Sequence, residues 1–267
     1  MKSVKYVISE NLKNLYRIFS IAKYDVLSEN RDSKIGILWG ILDPLIQIMT
    51  YWFAFGIGIR GGADINGVPF INWMLVGLVP WFFVSSTIRK GTVSIHKRAN
   101  IITKMKFPIS ILPTTEVVRE LFTHLISIII LLVFLLVNGV EFKFYMIRVI
   151  YYLFAAILFS ISFSMVTSVL NMITRDVKKI INASMRLLIY VTPVLWSMDK
   201  LPSWGLLIVK LNPLFYIING YRNSLLYNVP ILSDLKHLFY FWSIVIILFL
   251  VGCKLLYTFK QRLIDFI

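Results

Sequence analysis

The sequence predicts an all-α membrane protein with six transmembrane helices and both termini on the cytoplasmic side. Three observations lead there. The 267 residues are 58% hydrophobic with a mean hydropathy of +0.78, whereas soluble domains are nearer half apolar with about a quarter of their residues charged. The apolar residues gather into six runs, each near the roughly 20 residues needed to cross a hydrocarbon core. The 28 Lys and Arg, against 13 Asp and Glu, lie mostly between those runs and mostly on one side of them.

That placement decides what the net charge of +15 means. On a soluble chain it would suggest nucleic acid; between apolar runs it sets orientation, and no nucleic-acid partner is expected. The single cysteine, Cys253, falls inside the last apolar run, so an intrachain disulfide or a multi-cysteine metal site is excluded.

The first element is a cytoplasmic interface helix within residues 1–34. Ile8, Leu12, Leu15, Phe19, Ala22 and Val26 recur at intervals of four and three and share one helical face. Lys5, Lys13, Arg17 and Lys23 take the other faces, as in a helix lying along an anionic leaflet. Such a helix either only anchors or also guides an anionic head group toward the first span, past Arg31 and Lys34. No short basic region with a brief apolar stretch opens the chain, so a cleaved signal is not expected.

The permease domain follows over 35–267, with spans at 35–59, 69–88, 112–137, 149–173, 180–198 and 237–258. The second and fourth are the clearest: Asp64 and Arg89 bracket 24 uncharged residues, and Arg148 and Arg175 bracket 26. Arg186 interrupts the fifth. Nineteen basic residues fall on the side of the N-terminus and seven on the other, which makes the first side cytoplasmic. Residues 199–236 are too long and too aromatic for a solvated loop. They read as one or two short helices, re-entrant or interfacial, with breaks at Pro202, Pro213 and Pro230.

Chemistry is sparse. There is no G-x-x-x-x-G-K-[ST] loop and no Gly-Lys pair, so ATP is not held here in the P-loop manner. His96, His124 and His237 lack the spacing of a helix-borne metal pair. No catalytic or metal site is expected. Ionisable groups inside spans are functional candidates by default. Asp43 precedes Pro44, which is placed to kink the first span into a gate. Glu116, Arg119 and Glu120 stand at i, i+3 and i+4 and can pair into a structural ion cluster. Arg186, with Asp176 below it, is either a snorkelling anchor or a pyrophosphate contact.

Trp73, Trp81, Trp204 and Trp242 suit an interfacial belt. Trp39, Tyr51, Trp52 and Phe55 in the first span, with Tyr190 and Trp196 in the fifth, have two readings: the same belt, or a surface on which sugar rings stack along a path. The basic segment 92–106 has the character of a short cytoplasmic helix that either sets topology or docks into another protein.

Several ordered motifs resemble the type-two ABC export permeases, which move polysaccharides with their lipid carriers. They are N-x-x-x-K-x-K-F-P at Asn100 to Pro108, ISILP up to Pro113, Arg175-Asp176, TPV at Thr192 to Val194, Asn212-Pro213 and Tyr221-Arg222. Within that family YWFAFGIGIRGG at 51–62, GVPFINWMLVGLVPWFFVSS at 67–86 and KMKFPIS at 104–110 are most similar to wall teichoic acid permeases. The resemblance implies a homodimer capped by two copies of an ABC ATPase that binds ATP and Mg, in the plasma membrane of a Gram-positive bacterium. It implies coupling through Ile95, Lys97, Arg98, Asn100, Lys104, Lys106, Phe107 and Pro108. The cargo it implies is wall teichoic acid on undecaprenyl diphosphate, with an O-antigen or capsular polysaccharide exporter as the alternative. A proton-coupled transporter is more distant, since no repeat is visible and only Asp43 offers a titrating group.

Overall fold

The computed structural model describes residues 2–29, 34, 36–59, 64–102, 104, 107–198 and 201–264. Helices make up nearly all of these, and no strand is present among the described residues. The N-terminal segment is two helices, α1 (Lys2–Lys13) and α2 (Leu15–Ser28), broken at Asn14, whose side chain turns back to donate to the Glu10 carbonyl at 2.7 Å. Val7, Ile18 and Ala22 face the bundle. Of the face expected from periodicity, Ile8, Leu12, Leu15 and Phe19 are exposed and Ala22 is buried. The helices therefore have two apolar sides, one spent on the protein and one left open.

The first apolar run is a three-residue 3-10 turn at Gly36–Leu38, then α3 (Trp39–Tyr51), then a π-helical stretch at Trp52–Ile59. Pro44 lies inside α3, where it has no N–H to donate to the helix ladder. The second run is α4 (Phe70–Lys97), which continues well past residue 88. α5 (Ala99–Ile102) is a single turn, set off by non-helical backbone at Arg98. The helix expected at 92–106 is therefore split: 92–97 is the end of α4, and α5 is a separate turn after it. Nothing between Val93 and Lys97 breaks helix geometry, so the second span runs on until Arg98 leaves it.

Beyond these lie α6 (Ile111–Val137), α7 (Val149–Ile173), α8 (Asp176–Val191), α9 (Ser203–Leu211), α10 (Pro213–Leu225) and α11 (Leu235–Ile264). The Arg175-Asp176 motif starts α8: Thr174 Oγ1 accepts from the Asp176 N–H, and Asn171 Oδ1 from that of Lys178. Asn212-Pro213 starts α10 in the same way. The Asn212 side chain accepts from the Leu214 N–H at 3.0 Å, and Pro213 sits where its missing N–H costs nothing.

Among the described residues four helical stretches are long and apolar enough to cross a membrane: Phe70–Lys97, Ile111–Val137, Phe144–Ile173 and Ile231–Lys260. α4 is the central one. Its most apolar window is 83% buried, against 22% for those of α6 and α11, whose outer faces present Ile126, Ile129, Val133, Ile246, Ile247 and Leu250. An exposed surface of this kind is stable only in hydrocarbon. α8, at 16 residues, is about 24 Å long and shorter than the roughly 30 Å core.

α4 packs on α7 through small residues. A Cβ at Gly91 would lie 2.2 Å from Ser164 Oγ, so only glycine lets the two helices approach so closely. Thr87 bonds Ser160 at 3.1 Å and Thr92 bonds Thr167 at 2.9 Å across the same seam.

Candidate functional site

α6 brings Glu116, Arg119 and Glu120 onto one buried face. Arg119 lies 3.2 Å from each carboxylate. This trio is the middle of a larger network. The end of α4 adds Lys90, 2.8 Å from Glu120, and Arg98, 3.5 Å from Glu116. α2 adds Asp25, paired with Arg98, and Glu29, 3.3 Å from Lys90 and 3.4 Å from Arg119. Ser86 donates to Glu120 at 2.5 Å. Four carboxylates thus meet three cations; Glu29 and Lys90 reach water, and the buried members survive because each has an opposite neighbour. Its consequence is mechanical: α2, α4 and α6 are tied together at one end of the bundle.

A second tie joins α10 to α4 and to the turn after α8, and brings separate sequence motifs together. Arg222 on α10 is buried, and its guanidinium donates to the carbonyls of Trp73 at 3.2 Å, Pro193 at 2.5 Å and Val194 at 2.8 Å. The same group stacks 3.3 Å from the Trp73 ring centroid. A Cβ at Gly77 would meet Arg222 Nη2 at 2.4 Å. Tyr221 bonds His124 at 2.9 Å, and Asn212 donates to Thr192 Oγ1 at 2.7 Å. The TPV, Asn-Pro and Tyr-Arg motifs are thereby one contact.

Between α3, α4 and α6 lies a polar cavity of about 260 Å³, bordered by Trp39, Asp43, Gln47, Ser86, Arg89 and Glu120 among others. An apolar cavity of about 280 Å³ adjoins it and shares Pro44, Val79, Phe82 and Ser127 with it. Asp43 and Pro44 of the predicted gate therefore face the same space as the ion network.

The remaining predicted residues divide by exposure. Ile95 and Arg98 are buried, so they are not available to a partner; Ile95 belongs to a second apolar cluster with Val7, Leu112 and Cys253. Lys97, Asn100 and Lys104 are exposed. Phe107 and Pro108 are half-buried, with the Arg17 guanidinium 6.0 Å from the Phe107 ring. Lys106 and Arg31 lie outside the described residues, and Lys34 is exposed. Tyr51 and Phe55 are half-buried against the core; Trp52 is exposed and borders the apolar cavity. Tyr190 is exposed, and its carbonyl accepts from Trp196 Nε1 at 2.7 Å. Asp176 pairs with Lys179 at 3.2 Å, and Arg186 is exposed.

Sequence reasoning missed Arg222, which it counted as a loop charge, and missed Asp25, Glu29 and Lys90 as partners of the α6 cluster. A signal for Arg222 existed: a lone arginine in a segment otherwise apolar and aromatic must find acceptors or an aromatic face. No signal placed α2 against α6, because that pairing depends on tertiary packing alone. At the other end of the N-terminal segment Tyr6 is half-buried, and the covering of its hydroxyl, with Glu10 beside it, pushes that group well above the usual tyrosine range.

A model of the family described as "ABC-2 type transporter" matches residues 16–226. An "O-antigen export system permease protein RfbA" of Klebsiella pneumoniae is 28% identical over 243 residues, 91% of this chain and 91% of the relative. A protein of the same description from Myxococcus xanthus is 26% identical over 207 residues, 77% of this chain and 78% of its own length.

Proposed function

The chain belongs to the ABC-2 type transporter family, and from that premise we propose that it is the permease subunit of an ATP-driven exporter of an O-antigen-type, lipid-linked polysaccharide. The observation that carries the reading is similarity to O-antigen export permeases along nearly the whole length of both chains. Wall teichoic acid, the cargo suggested by residues 51–110, gives way to its alternative, because the matched relatives are described as O-antigen permeases. The Gram-positive location suggested with it goes the same way.

In this reading an ABC ATPase partner, two copies per homodimer of this chain, binds ATP and Mg. The exposed Lys97, Asn100 and Lys104 form the surface it engages. Arg98 acts behind that surface by passing displacement to Asp25 and Glu116. Trp39, Tyr51, Trp52, Phe55, Tyr190 and Trp196 border the path of the sugars, Lys34, Asp43, Pro44 and Arg186 attend the head group, and the α6 cluster holds the inner ends of the helices.

The proposed topology has six crossings with both ends cytoplasmic, and contacts support it independently of hydropathy. Glu29 pairs with Lys90 at one end of α4, whereas Ile65, at the other end, accepts from Tyr227. The run between Glu29 and Ile65 therefore traverses the bundle. Arg148, at the start of α7, bonds Asn228 at 3.0 Å, so the chain also returns across between Asp176 and Asn228 despite the shortness of α8. At the opposite end Lys260 on α11 lies 3.9 Å from Glu10 on α1, which puts both termini together. The open faces of α1 and α2 then rest on the inner leaflet.

The test is depletion of this protein followed by analysis of surface and intracellular polymers. Loss of O-antigen-type polysaccharide from the surface, with lipid-linked polymer accumulating inside, is expected. Accumulation of a polyol-phosphate polymer instead would restore the teichoic acid reading, and unchanged surface polymers would remove the exporter role.

A further inference from the structure

The two cavities beside α3 share four residues and form one amphipathic cleft within a single protomer, bordered by members of the ion network and of the proposed sugar path. One end is bordered by side chains of α3, α4 and α6 that carry charges, amides and hydroxyls; the other is bordered by Ile48, Met49, Leu75, Ile130 and Phe134. From Lys90 to Ile71 the cleft follows α4 for 19 residues, or about 28 Å at 1.5 Å per residue. That exceeds the depth of one leaflet, about half of a 40–45 Å bilayer, and leaves room for a head group and an extended acyl chain end to end. Each cavity alone is near the lower bound of ligand sites, and together they lie within the usual range.

The polar end also has a charge pattern. Glu29, Lys90 and Glu120 are already engaged with one another. Arg89 and Asp43 also border the space, and among the described residues neither is in an ion pair. Arg89 spends one N–H on the Ser85 carbonyl at 3.1 Å and another on Ser85 Oγ at 2.8 Å, which leaves further guanidinium donors for an anion. A cation and a carboxylate left over in one cavity, above a hydrocarbon slot, match a head group that carries both signs.

We propose that this cleft holds one zwitterionic phospholipid of the phosphatidylethanolamine type. Its phosphate pairs with Arg89, its ammonium with Asp43, and one acyl chain lies between α3, α4 and α6. A polyprenyl phosphate fits less well, because it brings no cation to Asp43. The bound lipid braces the first span against α4 and α6 from within a single protomer, so its presence biases how far α3 swings. This goes beyond the exporter reading, and the measurement below does not depend on which polymer is exported.

The test is native mass spectrometry of the delipidated permease, purified with its ATPase partner, titrated with phosphatidylethanolamine, phosphatidylcholine or undecaprenyl phosphate. One phosphatidylethanolamine per chain is expected, retained at least fivefold better than the other two. Arg89→Gln and Asp43→Asn should each weaken retention about tenfold. Ile130→Trp should do the same by filling the apolar half, while Ile246→Trp on the open face of α11 should leave it unchanged. Retention of the ATPase partner reports that each variant is folded. Equal retention of all three lipids, retention unaffected by Arg89→Gln and Ile130→Trp, or preference for undecaprenyl phosphate would each overturn the assignment.

Discussion

Arg222 illustrates how a single residue can be costly and indispensable at once. A guanidinium inside the bundle loses its hydration, and three backbone carbonyls and the Trp73 ring return it. Lysine keeps the charge but cannot span three acceptors in one plane. With hydrogen bonds to charged groups contributing about 1.5–3 kcal/mol each, Arg222→Lys should cost about 3 kcal/mol, read as a lowered thermal midpoint of the detergent-purified protein. Gly77→Ala should destabilise for a related reason, since its Cβ would meet the same guanidinium. In a double-mutant cycle Gly77→Ala combined with Arg222→Ala should be clearly less than additive, because removing Arg222 removes the clash. Additive losses would mean that Gly77 answers to something else. Hydropathy hid this residue: Arg222 counts against a span in any sum, yet its partners are main-chain atoms that no composition reveals.

At the scale of elements, the ion network makes α2 part of the bundle rather than an appendage. Asp25 and Glu29 reach Arg98, Lys90 and Arg119 on two different helices. Replacing both, Asp25→Asn with Glu29→Gln, removes the ties from α2 while its apolar contact through Ile18 and Ala22 stays. Because Glu29 is nearly half exposed, the expected loss is modest, about 1–2 kcal/mol. Hydrogen exchange should accelerate within 15–28 but not within α4 or α6; protection left unchanged would mean that packing alone holds α2. The same region shows what was readable in advance. The i, i+3, i+4 spacing of Glu116, Arg119 and Glu120 foretold their pairing, because helix geometry alone brings them together. The breaks at Pro202, Pro213 and Pro230 were also legible, since proline acts locally. The extension of α4 to Lys97 was not, because the basic residues after position 88 mark where lipid ends and not where helix ends. Nor was the cleft beside α3, which exists only once three sequence-distant helices are assembled.

For the molecule as a whole the number of crossings decides on which side each helix end emerges. Hydropathy counts six runs, whereas among the described residues four helical stretches qualify by length and composition. The two schemes differ in where Asn228 and Lys260 emerge. If only the four long stretches crossed, Asn228 would share a side with Lys178, and Lys260 would face away from it. With six crossings Asn228 joins Asn138 on the outer side, while Lys97, Lys178 and Lys260 are all inside, as the Arg148–Asn228 and Lys260–Glu10 contacts favour. The composition makes the measurement simple, because Cys253 is the only thiol to remove. In a Cys253→Ser background, Asn138→Cys and Asn228→Cys should react with a membrane-impermeant maleimide added to whole cells. Lys97→Cys, Lys178→Cys and Lys260→Cys should react only in inverted vesicles. Labelling of Asn228→Cys from the vesicle side alone would mean that α8 does not cross. It would also dissolve the proposed path for sugars past Tyr51 and Tyr190, since that path requires both helices to pass through the same membrane depth.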